Sequence, residues 1–155
     1  MEEHNDTAGV IAFPPLIYLA GLAIGVVLHL VRPVQLLPRV LSLILGGGLI
    51  ATGGLLVRSA FATMNRAQTN IDPFEPTTAI VSDGPFRYTR NPIYLSLALI
   101  YTGVAALINS LTVLVPLPFV LVLVQRGVIE REEAYLERKF GAEYTQYKAR
   151  VRRWI

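Results

Sequence analysis

Apolar positions fall into four blocks separated by short polar breaks. The blocks span residues 11–31, 40–57, 93–108 and 111–124, the last continuing as helix to about residue 129. The first is long enough to cross a bilayer, which takes about 20 apolar residues in helical form. The last two are short for full spans at about 1.5 Å of rise per residue. They need either polar residues at their ends or a thinned bilayer. The connector between the first two is "RPVQLLPR", and between the last two only "NS" at Asn109–Ser110. So short a link makes the third and fourth blocks an antiparallel helical hairpin. The predicted fold is an all-α integral membrane bundle of about four transmembrane helices, one domain over residues 1–155. A loop at 58–92 separates the two helix pairs, and a tail at 130–155 closes the chain.

The tail changes its period. Ile129, Leu136, Phe140, Tyr144, Tyr147 and Val151 recur at spacings of 7, 4, 4, 3 and 4, an amphipathic stripe broken at Gly141. Such helices either lie on the membrane surface or fold over the helix ends, with basic residues on their other faces suited to headgroups. Glycines mark the packing faces of the first two helices. Gly21 and Gly25 form a GxxxG, and "LGGGLIATGG" places Gly46, Gly47, Gly48, Gly53 and Gly54 in the second helix. In lipid, small residues let helix backbones approach closely. A phosphate-cradling glycine loop would instead need a strand-to-helix turn.

Composition agrees with the pattern: 53% of residues are hydrophobic and 16% charged, where soluble domains carry about a quarter charged. The acidic opening "MEEHNDTAG" lacks the basic region of a secretory signal. There is no cysteine, which excludes disulfides, thiolate metal sites and a cysteine nucleophile. The two histidines, His4 and His29, have no second metal-type neighbour at helical spacing, so no metal is expected; His29 reads as an interfacial or packing residue. Of fourteen Lys and Arg, eight lie between Arg126 and Arg153. With the tail inside, twelve basic residues are cytoplasmic and only Arg32 and Arg39 are outside. Both termini are therefore expected on the cytosolic side, in the inner membrane if the source is bacterial. Nothing in the pattern suits nucleic acid.

The chemistry-bearing residues sit at two ends of the hairpin. "GPFRYTRNPIY" opens the third helix, with Pro92 at its first turn and Asn91 as its N-cap. The fourth leaves the apolar zone as "QRGVIEREEAYLERKFGAEY". An antiparallel hairpin returns Arg126, Glu130, Glu132 and Glu133 to the face that holds Arg87–Tyr94. Considered alone, the acidic run is a solvated face with an Arg126–Glu130 pair. Considered with the Arg/Tyr cluster opposite, it forms the second wall, Arg126–Glu133, of a polar pocket at one membrane interface.

"GPFRYTRNPIYLS", a hydrophobic hairpin and "REEAYLERKFGAEYTQYKARVRRWI" together resemble the integral-membrane methyltransferases, which include isoprenylcysteine carboxyl methyltransferase and the phospholipid N-methyltransferases. The resemblance covers about residues 70–155. It implies S-adenosylmethionine as methyl donor, entering from the cytosol, with S-adenosylhomocysteine as product. Arg90 and Glu133 are the implied catalytic pair. Arg90 suits the cofactor carboxylate, and Glu133 or Glu132 its ammonium or ribose. Tyr88, Tyr94 or Tyr144 suits the adenine or the sulfonium. Asn91 and Pro92 complete the implied cofactor-binding set. The family commonly shows His and Gly where Asn91 and Ser96 stand here; Asn cannot titrate, so no general base is assigned there. The acceptor is expected to be lipid-like or isoprenoid, a carboxylate or a headgroup, reached through the membrane past the Pro116/Pro118 kink. The oligomeric state is open. Two other readings stay in play: an NADPH-dependent membrane reductase of steroid-reductase type, and a non-enzymatic assembly or lipid-binding protein.

Overall fold

The computed structural model describes residues 6–155, so His4 and the first acidic residues lie outside it. Among the described residues all regular structure is helical. Helix α1 spans Pro14–Val31, α2 Arg39–Arg66, α3 Pro92–Ile108, α4 Leu111–Leu114, α5 Leu117–Val124, α6 Glu130–Phe140 and α7 Ala142–Arg150. A 3-10 turn at Gly84–Arg87 precedes α3, and a π-helical turn at Gln125–Ile129 joins α5 to α6. Pro116 and Pro118 interrupt α-helical bonding between α4 and α5, yet the rod from Leu111 to Phe140 is long enough, at 30 residues, to cross a membrane. The helices α1 and α2 also have that length, and α3 is shorter. Polar residues thus extend the fourth block, while the third stays at 17 residues, about 25 Å.

Two boundaries differ from the pattern. Helix α1 starts at Pro14 rather than residue 11, because two prolines occupy its first turn and the residue before a proline favours extended backbone. Ile11 instead donates its N–H to the Gly127 carbonyl at 3.1 Å. Helix α2 does not stop at residue 57. It runs on to Arg66, so the connection to α3 begins at residue 67. Nothing in "RSAFATMNR" breaks a helix, and Ala60 and Met64 pack into the core formed by the tail.

The bundle core gathers Tyr18, Tyr101, Val113, Val120, Val124 and Val128. Its buried hydroxyls all find partners. Tyr18 donates to the Tyr94 carbonyl at 3.0 Å and Tyr101 to the Val113 carbonyl at 2.9 Å. His29 Nδ1 lies 2.8 Å from Ser110 Oγ, the packing role expected of it. The turns at one end of the bundle are stitched by Asn109, which adopts φ 59° at the end of α3. Its side chain accepts from the N–H groups of Leu36 and Leu37 and donates to the Leu37 carbonyl.

A second, smaller core lies at the other end. Tyr144, Tyr147, Leu136, Phe140 and Val151 pack on Ala60, Phe86, Ile80 and Val81. The amphipathic stripe therefore folds over the helix ends, with the exception of Ile129, which belongs to the bundle core. Gly141 breaks the tail with φ 54°, the left-handed backbone that favours glycine.

Candidate functional site

A pocket sits between the start of α3, helices α6 and α7, and residues 69–81 of the connection. Pro92 at the first turn and Asn91 before it start α3 as expected, and Leu95 donates to the Asn91 carbonyl at 3.0 Å. The Asn91 side chain makes no cap, however. Its Nδ2 donates to the Arg153 carbonyl at 2.9 Å, so the side chain is held by the end of the chain and does not turn back to the first N–H groups of α3.

Arg90 and Glu133 meet across the hairpin. Arg90 Nη2 lies 3.2 Å from Glu133 Oε1, and both side chains are buried. Glu133 is held more firmly by Arg153, whose Nε donates to Oε1 at 3.0 Å and whose Nη2 donates to Oε2 at 2.8 Å. Lys148 stands 4.0 Å away. Arg90 keeps two N–H groups, Nε and Nη1, that are buried without a hydrogen-bond partner among the described residues. Leaving a buried donor unsatisfied costs about 1–3 kcal/mol, more when it is charged. Arg90 lines the pocket, and a cation with unpartnered donors there suits an anionic ligand group.

Neighbouring residues on α6 point to different partners, as their angular separation requires. Glu132 Oε1 accepts from the Tyr94 hydroxyl at 2.7 Å, and both residues line the pocket. The apolar part of this rod ends at Ile129, so Glu132 lies beyond it. Burial pushes the Glu132 carboxyl up to about 7; the Tyr94 hydrogen bond opposes this and the Glu133 charge adds to it. Burial likewise pushes the Tyr144 hydroxyl up to about 12, with Glu133 adding and Arg90 opposing. It stays a neutral phenol at the pocket wall.

Of the residues implied from sequence, Arg90, Asn91, Pro92, Tyr94, Glu132, Glu133 and Tyr144 line this pocket. Tyr88 does not: it is 77% exposed. It follows the 3-10 turn two residues after Phe86, and two steps at three residues per turn put it on another side. The second wall also needs correction. Arg126 is outside the pocket, and Glu130 pairs with Arg153 and Gln125 rather than Arg126. The wall is made by Glu132, Glu133, Tyr135 and Leu136 with Tyr144 and Tyr147.

Three further segments contribute in which the sequence reading named no site residue. Residues 69–81 supply Thr69, Asn70, Ile71, Asp72 and Ile80, in a stretch without periodicity. Ala8 arrives from the N-terminal segment, held by Arg131 donating to the Gly9 carbonyl at 2.8 Å and by Tyr135 at Asp6. Arg153 was one cation among eight in a basic tail; only its place in the fold distinguishes it.

The sequence profile of the phospholipid methyltransferase family matches residues 41–143. The chain belongs to the phospholipid methyltransferase family. The matched region holds Arg90, Tyr94, Glu132 and Glu133 and ends before Tyr144 and Arg153. A protein of Haemophilus influenzae (strain ATCC 51907 / DSM 11121 / KW20 / Rd), described only as uncharacterized, is 50% identical over 64 residues, 41% of this chain and all of that protein. No solved structure matches the chain. Membership in the phospholipid methyltransferase family implies methyltransferase activity. The long apolar helices fit that activity to a membrane protein, and the steroid-reductase alternative is not favoured.

Proposed function

We propose that the pocket binds S-adenosylmethionine and that the protein moves its methyl group to a lipid-like or isoprenoid acceptor, at a carboxylate or a headgroup. The observation that carries this is the pair of buried, unpartnered N–H groups on Arg90. They suit the carboxylate of the donor's amino-acid end. Glu132 suits its ammonium or ribose hydroxyls, while Glu133 holds Arg90 in place. Tyr94 and Tyr144 offer ring faces beside a cation, and Ile71, Ile80 and Phe86 offer an apolar bed for a base. When bound, the donor supplies an electrophilic methyl on a positively charged sulfur.

The protein's part is alignment. Fixing acceptor and methyl in line replaces a bimolecular encounter by a positioned one. A carboxylate acceptor needs no base. An amine acceptor must lose a proton, and Glu132 is raised into the range where a carboxylate can take one. A groove between α3 and α5, lined by Leu95, Ala98, Leu121 and Val122 with Arg126 and Trp154 at its polar end, suits a lipid approaching from the bilayer.

We read four membrane-spanning segments in a single domain, with both termini and the pocket cytosolic. The first and last described segments both reach the pocket end of the bundle, where Asp6 contacts Tyr135 and Lys139, and residues 152–153 contact residues 89–91. The basic excess on that side supports a cytosolic face.

Calorimetric titration of S-adenosylhomocysteine into detergent-purified protein tests the reading. Wild type binds, and Arg90→Ala, shown folded by its circular dichroism and melting point, does not. Absence of binding to folded wild type overturns the proposal. Transfer of a labelled methyl to a membrane lipid extract then sorts the acceptor classes.

A further inference from the structure

We propose that Arg153 is a positioning residue that keeps Arg90 open for the ligand carboxylate, by occupying Glu133 in its place. This rests on the cofactor reading above. Glu133 offers two oxygens in a buried setting to two guanidinium groups. Arg153 takes both, at 3.0 and 2.8 Å, in the bidentate fork that matches a carboxylate. Arg90 is left one ion-pair contact, at 3.2 Å through Nη2, with Tyr144 beside it, and Nε and Nη1 remain without a hydrogen-bond partner among the described residues. Without Arg153, the Glu133 carboxylate is free to take Arg90 as its fork. A fork built on Nη2 takes in Nε or Nη1 beside it, so one of the two open donors is then spent inside the protein and the guanidinium is turned toward Glu133.

The end of the chain is built to put Arg153 there. After α7 the backbone turns extended at Val151 and crosses the start of α3. The Arg152 carbonyl accepts from the Arg90 N–H at 2.9 Å. The Arg153 carbonyl accepts from Asn91 Nδ2 at 2.9 Å and Thr89 Oγ1 at 3.2 Å. Trp154 Nε1 donates to Gln125 Oε1 at 3.1 Å. The strap is thus fastened to three consecutive residues around Arg90 through main-chain oxygens. These bonds do not depend on the side chain at 153, so a substitution there tests the guanidinium and leaves the strap.

The experiment compares two ligands. S-adenosylhomocysteine carries the amino-acid carboxylate, and 5′-methylthioadenosine, measured by displacement of labelled S-adenosylhomocysteine, lacks it. Arg153→Ala weakens S-adenosylhomocysteine by about tenfold or more, as expected for a lost charge-assisted fork, and leaves 5′-methylthioadenosine unchanged. Arg153→Lys, a point charge without a fork, falls between. Adding Glu133→Gln to Arg153→Ala restores part of the affinity, because a neutral amide holds Arg90 weakly. Equal weakening of both ligands, or no recovery in the double variant, overturns the inference and leaves the strap purely structural. Unchanged S-adenosylhomocysteine affinity in Arg153→Ala overturns it too, with the cofactor reading intact. Folded wild type that binds no S-adenosylhomocysteine removes both.

Discussion

Where α2 crosses α3, the helices touch backbone to backbone. A Cβ added at Gly103 would lie 2.9 Å from the Gly46 carbonyl oxygen, and one at Gly53 would lie 2.9 Å from the Ser96 carbonyl oxygen. At the pocket end Ala60 and Met64 of α2 and Ile93 of α3 instead pack with Phe86 and the tail aromatics, and the Arg90–Glu133–Arg153 chain ties the start of α3 to α6 and the end of the chain. The solvent explains the difference. Lipid tails are as apolar as leucine, so close approach must be won by removing side chains. Away from lipid, buried charge is tolerated only with a partner. An unpaired buried group therefore carries information at the pocket end, and an absent side chain carries it in the bundle.

The largest effect should come from removing the shared anion. Glu133→Ala leaves Arg90 buried without its carboxylate and deprives Arg153 of its fork. Breaking a buried pair costs about 3–5 kcal/mol. With Arg153 about 30% exposed to screening solvent, the low end, about 3 kcal/mol, is expected. The melting point in detergent reads it, and Glu133→Gln, which keeps shape and acceptor, should lose clearly less. Equal losses would mean that shape, and not charge, holds the pocket end together.

Next in size is Gly103→Ala. The added methyl would sit 2.7 Å from Ile50 Cγ1 and 2.9 Å from the Gly46 carbonyl oxygen, inside contact distance. A carbonyl cannot rotate away as a side-chain end can, so the helices must part. Overpacking of this kind costs about 1–3 kcal/mol. A melting point equal to wild type would show that α2 and α3 are not in backbone contact.

The same contrast sets how far the sequence could be read. Helix blocks, the hairpin, the break at Gly141 and the meeting of Arg90 with Glu133 and of Tyr94 with Glu132 all follow from periodicity and a two-residue turn. Each is local, or one step from local. The end of α2 was not legible: "RSAFATMNR" looks polar, and Ala60 is buried in a cluster with Phe86 and with tail residues more than seventy positions away. Nor was Arg153. A guanidinium that binds headgroups and one that saturates a buried carboxylate are the same letter, and only the extended strap after Val151 separates them. Tyr88 failed for the opposite reason. It stands inside the most informative stretch of the chain, and the 3-10 turn before it puts Phe86 inside and leaves Tyr88 out.

The smallest effect sharpens the glycine argument most. Gly46 and Gly53 meet α3, but Gly47, Gly48 and Gly54 have nothing within 4 Å of an added Cβ. If glycine serves only the α2–α3 contact, these three are free to change. Alanine is the better helix former by about 0.8–1 kcal/mol in water, and less is at stake where lipid already enforces the helix. Gly47→Ala and Gly54→Ala should therefore melt at or slightly above wild type, with unchanged mass in detergent by light scattering. A lower melting point, or a shift from a larger particle to a smaller one, would mean that the open face is covered by another helix. The glycines would then be spaced for two contacts, one within the chain and one between chains.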